Sequence, residues 1–230
     1  MNDMENEIFN LLITKGNLKQ DIYDLTVAGF AELKKKVELF ALKFNELHKS
    51  KNPRVNVEIT NSTDFEFSVR FASDMLVFMM HTNIFEFPRA HDVFKLPYVK
   101  EDHDRSYCGI INIYNFLADS FRYNRINDSG YLIGRIFINK DNHYYIEGKH
   151  ELGLQFNNFS QNVFDEAVIE RVLMASMKYA IEFDLLTPPY DNLKEITVLD
   201  IQQLEMQTMT IKTAKRMGFK FQSDREELKG

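Results

Sequence analysis

Three observations predict an α+β protein: apolar and polar positions alternate through residues 54–157, helical spacing governs the chain before that stretch, and helical spacing resumes after it. The expected architecture is an antiparallel β-sheet of about five to seven strands packed against a long N-terminal helix and C-terminal helices, as one domain over residues 1–230.

Residues 4–15 read as a short helix, with Asn2 or Asp3 as N-cap, Ile8, Leu11 and Leu12 on one side, and Gly16 as a stop. From Asp21, the series Ile22, Leu25, Gly29, Leu33, Val37, Phe40, Phe44 and Leu47 steps by three or four residues and predicts a second helix to about His48. Val27, Phe30, Leu39 and Leu42 widen its apolar face beyond a coiled-coil seam, so it is expected to lie across a sheet.

Past Pro53, Val55, Val57 and Ile59 alternate with polar residues, and a turn at Asn61, Ser62 and Thr63 leads into Phe65, Phe67, Val69 and Phe71. That pattern is a hairpin. After a second turn at 72–74, Met75 to Phe87 is extended and apolar on both faces at its start, as a central strand would be. Between Tyr107 and Phe121 the apolar residues Ile110, Ile113, Tyr114, Leu117, Ala118 and Phe121 recur at helical spacing, so a helix is expected, although Ile and Tyr favour strands.

Gly130 opens a strand over 131–139 that returns through Lys140, Asp141 and Asn142 into a strand at 143–147. Leu152, Leu154 and Phe156 alternate as one more strand. Ser160 can cap a helix over 161–185, with Asp165 and Glu166 in its first turn and Pro188 and Pro189 beyond it. Thr197 and Asp200 resemble a capping box for a last helix running to Met217, with Gly218 as its stop, an edge strand at 219–221 and a frayed tail over 222–230. This order of elements is similar to that of small secretion-type chaperones, a likeness of layout without a shared motif, and it implies no function.

Composition narrows the class. With 44% hydrophobic and 27% charged residues the chain has the makeup of a folded globular protein. The single cysteine, Cys108, forms no internal disulfide, and the first residues are acids and amides where a secretion signal carries bases, so a reducing cytoplasm is expected. Met75 to Met80, the longest apolar run, is far short of the roughly 20 residues of a membrane helix. Twenty Phe, no Trp and a surplus of Lys over Arg follow from AT-rich coding and point to a bacterium.

Net charge is −6 and evenly spread. Lys34, Lys35 and Lys36 form the longest basic run, and on a helix they point in three directions, so nucleic-acid binding is not expected.

No phosphate-binding glycine loop, cysteine metal framework or catalytic signature occurs. The long apparent loop at 88–106 is the best site candidate, with Arg89, Tyr98 and Arg105 as binding residues. His81, His91, Asp92, His103 and Asp104 have the donor types to hold a divalent metal and activate a water. Cys108 reads as a small buried hydrophobe.

The leading expectation is a cytoplasmic, non-catalytic interaction or adaptor module without cofactor, binding a protein partner or a second copy of itself. A metal-assisted hydrolase using the His and Asp residues of 81–104 is the alternative. The other is a small-ligand domain with a Phe- and Tyr-lined pocket between sheet and helices.

Overall fold

The structure is a computed structural model. It describes residues 2–48, 55–149, 151–187, 189, 190, 195 and 197–199.

A single helix, α1 (Asp3–His48), spans the whole N-terminal region. The expected stop at Gly16 is overturned: one glycine costs a helix interior only about 1 kcal/mol, and strong helix formers flank it on both sides. At 46 residues, α1 is roughly 70 Å long. Its buried residues are Ile22, Thr26, Phe30, Leu33, Val37 and Ala41, so only the C-terminal part covers the body.

Seven strands form one antiparallel sheet: β1 (Val57–Thr63), β2 (Glu66–Phe71), β3 (Asp74–Met80), β4 (Phe85–Glu86), β5 (Tyr107–Leu117), β6 (Tyr131–Asn139) and β7 (Tyr144–Gly148). Their order is β1-β2-β3-β5-β6-β7, with β4 paired to β5. The predicted fold class is therefore present, with several local corrections. β1 continues to Thr63 through a register shift between Asn61 and Thr63, which moves the hairpin turn to Asp64 and Phe65. The expected strand from Met75 to Phe87 breaks into β3 and β4.

Residues 107–117 are strand, and the helix expected there shrinks to α3 (Ala118–Arg122). β5 lies between β3 and β6, where backbone pairing on both edges and β-branched Ile110, Ile111 and Ile113 outweigh the helical spacing. The strand expected at 152–156 is instead the short helix α4 (Glu151–Gln155). α5 (Glu166–Ile181) begins later than expected, because the Asp165 carboxylate, rather than Ser160, caps it and accepts from the Val168 N–H at 2.9 Å. Apart from 197–199, the expected last helix, edge strand and tail fall outside the described residues.

One face of the sheet, including Phe67, Leu76, Phe78, Ile111, Ile113, Ile136 and Ile146, packs beneath α1 and α5 to make the main core. Lys36 of α1 pairs with Glu166 of α5 at 2.9 Å. At the sheet edge, the Asn45 amide donates to the Val57 carbonyl at 2.8 Å and accepts from the Val57 N–H at 2.9 Å, fastening the end of α1 to β1.

Candidate functional site

Two features stand apart from this core: the beginning of α1 and the second face of the sheet. An α-helix returns to the same direction every 18 residues, or five turns. Met4, Ile8 and Leu12 therefore share the stripe of Ile22, Thr26 and Phe30, each 18 residues further on. The later three are 0%, 0% and 4% exposed, whereas Met4, Ile8 and Leu12 are 67%, 49% and 65% exposed.

The stripe that seals the sheet thus runs on past it as an arm. Leu11, Phe9 and Ile13 are also exposed and extend its apolar surface around the helix. A Cβ at Gly16 would meet no atom within 4 Å, so that side of the helix is uncovered, while the neighbouring Lys15 reaches back to the body with its ammonium 6.0 Å from the Tyr107 ring centroid. Scattered exposed apolar residues are ordinary, but six large ones within ten residues form a contiguous patch of the kind that marks interaction surfaces.

On the second face, the segment that sequence presents as a long loop is ordered by packing. Two 3₁₀ turns, Asp92–Lys95 and His103–Ser106, flank the short helix α2 (Pro97–Glu101). Phe87, Val93 and Val99 from this segment join Cys108, Ile110, Phe137 and Phe159 in a small second core. The segment lies on the sheet and does not project into solvent.

The predicted binding residues separate. Tyr98 and Arg105 come together, with the guanidinium 4.2 Å from the phenol ring centroid. The Tyr98 hydroxyl donates to Asp141 at 2.7 Å and accepts from Asn139 at 3.0 Å, while Arg105 donates to Asp141 at 2.8 Å and to the Tyr98 carbonyl at 2.8 Å. Burial, followed by the hydrogen bond to Asp141, pushes the Tyr98 phenol above its usual value. These groups satisfy one another and bind the segment to the β6–β7 turn. Arg89 is remote from them, paired with Glu86 at 3.0 Å and lying 5.1 Å from the Phe94 ring centroid.

The five predicted metal ligands do not converge. His81 accepts from the Asn83 N–H at 3.0 Å, and His91 accepts from the Val93 N–H at 3.3 Å as the cap of a 3₁₀ turn. Asp92 is exposed and pairs with Lys95, whose hydrogen bond lowers the carboxyl pKa. Exposed His103 and Asp104 open the second 3₁₀ turn. Among the described residues, no group of three or more His, Cys, Asp or Glu side chains could hold a metal ion. Local bonds account for three of the five: the His81 and His91 rings each accept a backbone N–H within their own turn, and Asp92 is held by Lys95.

His81 and His91 nevertheless share a cleft of about 450 Å³ with Phe85, Phe87, Arg135 and Phe137. It lies on the sheet face opposite the helices. Its polar rim is a cross-strand row in register, Asn112 on β5, Arg135 on β6 and Glu147 on β7, closed by an Arg135–Glu147 ion pair. Alternation would have revealed that row had residues 107–117 been read as strand. Cys108 also borders the cleft, but burial raises its thiol pKa well above the ordinary value, so it is no poised nucleophile.

Among the described residues, no helix is long and apolar enough to cross a membrane. Comparison with protein-family models, curated proteins and solved structures gave no match, so function rests on the residues of this chain.

Proposed function

We propose that this chain is a non-catalytic interaction module of the cytoplasm that binds its partner through the projecting start of α1. The observation that carries the reading is the apolar stripe that continues from Ile22, Thr26 and Phe30 onto exposed Met4, Ile8 and Leu12. Leaving such a surface in water is costly, at roughly 25 cal/mol per Å² of apolar area, and covering it is a ready source of binding energy. Dispersal of the predicted metal set also favours binding over hydrolysis.

A photo-crosslinking residue in place of Phe9, activated in cells that make the full chain, tests the reading. One dominant polypeptide adduct at that position is expected, lost when Ile8 and Leu12 are both changed to Glu. Adducts confined to the chain's own body, or no more adduct than at an exposed body position such as Lys100, would overturn it.

The cleft beside His81 and His91 favours a second reading, a site for a small ligand with a flat apolar ring. Aromatic walls at Phe85, Phe87 and Phe137 with an adjacent Arg135 are the features that such a ligand needs. Phenylacetate, titrated while amide shifts along β5 and β6 are followed, should move Asn112 and Arg135 first. Shifts scattered over the surface would discount this reading.

A further inference from the structure

We infer that the partner of the α1 arm is a second copy of this chain and that the two arms pair antiparallel about a two-fold axis near Leu11. This rests on the interaction reading above and adds the identity and orientation of the partner.

Charge order along the arm selects the orientation. The tip carries Asp3, Glu5 and Glu7, and the root carries Lys15 and Lys19. With Leu11 near the axis, antiparallel arms set the acidic tip of each copy alongside the basic root of the other, Glu7 at the level of Lys15 and Asp3 at the level of Lys19, and symmetry makes this match twice. A parallel pair would set acid against acid and lysine against lysine. The arm is therefore complementary to itself in one direction only, which is what an isologous interface requires.

In the antiparallel arrangement Met4 of one copy faces Leu18 of the other. The apolar centre is then Ile8, Leu11 and Leu12 from both copies, with the charges at either end.

Sedimentation equilibrium of the full chain, with circular dichroism to check folding, tests the inference. The parent chain is expected to be a dimer. Glu7→Lys and Lys15→Glu should each weaken it about tenfold, because each replaces two attractions by two repulsions, and the Glu7→Lys/Lys15→Glu double variant should recover affinity. An equimolar mixture of the two single variants should form a heterodimer in preference to either homodimer.

A dimer indifferent to these exchanges, or one that the double variant fails to restore, overturns the antiparallel pairing. A monomer at all concentrations overturns the second-copy partner. The Phe9 adduct then separates the two claims: a different polypeptide leaves the interaction reading standing, whereas an adduct within the chain itself removes both.

Discussion

Thr26 of α1 lies directly on Gly109 of β5: a Cβ built at Gly109 would fall 2.0 Å from the Thr26 Oγ1 and 2.8 Å from its Cβ. Because that hydroxyl donates to the Ile22 carbonyl at 2.7 Å, the helix turn itself rests on the sheet at this point. The contact fixes where α1 crosses the sheet, and hence how much of it projects. Ile22, one turn earlier, is the first buried residue of the helix.

Gly109→Ala should therefore lift α1 from β5 and destabilise the protein by about 1–3 kcal/mol through overpacking. Urea denaturation measures this directly. An unchanged midpoint would mean that the crossing is looser than the geometry requires.

The arm should make no contribution to the stability of the body. Ile8→Glu with Leu12→Glu is expected to leave the unfolding free energy of the monomer within about 0.5 kcal/mol of the parent, since both sites are exposed. Leu33→Ala, on the same helix but fully buried, should cost about 2–5 kcal/mol. Thermal and urea unfolding at low protein concentration compare the two. A large loss in the arm variant would show that the arm belongs to the fold.

The architecture was legible in the sequence where a single period dominates. Phe67, Val69 and Phe71 alternate and all are buried, and the return through Lys140, Asp141 and Asn142 falls where turn chemistry puts it, with Asn142 in the left-handed region at φ 56°. Residues 107–117 misled because β5 carries residues such as Cys108, Ile110 and Phe116 on one face and Ile111 and Ile113 on the other; a strand covered on both sides loses the clean alternation of a half-exposed one. Leu152 and Phe156 are buried and Leu154 between them is exposed, and their four-residue spacing fits a helix turn as well as it fits a strand.

Within the candidate site, the pattern of Ile8, Leu11 and Leu12 was visible, and so was the acidic start. Their lack of cover was not, because exposure depends on where the sheet ends. The histidines misled in the opposite way: composition grouped them, and local turns hold them apart.

Tyr98 should make alkaline stability measurable. Its phenol is held above its usual value in the folded state, so the folded protein retains that proton more tightly than the unfolded chain does. The associated stability is complete below about pH 10, the ordinary tyrosine value, and declines as pH rises beyond it. Tyr98→Phe should flatten this decline and lower stability at neutral pH by about 1 kcal/mol, since Asp141 and Asn139 lose a partner. Urea titrations at neutral and alkaline pH check both parts, and an unchanged alkaline slope would remove Tyr98 as a cause.

Cys108 should be silent to thiol reagents in the native protein. It is 1% exposed and its pKa is raised by burial, so reaction with an aromatic disulfide should follow local opening and be at least about a hundredfold slower than in urea. Rapid native labelling would show that the 85–91 segment does not cover it.

The claim that a second copy covers the arm is tested most directly by amide hydrogen exchange over residues 4–14 of the full chain at two concentrations. The account predicts slow exchange when concentrated and faster exchange on roughly hundredfold dilution, since protection by a second copy follows mass action. Slow exchange that ignores dilution would place the cover within the same chain. Exchange at high concentration as fast as in the Ile8→Glu/Leu12→Glu variant would show that no second copy binds the arm.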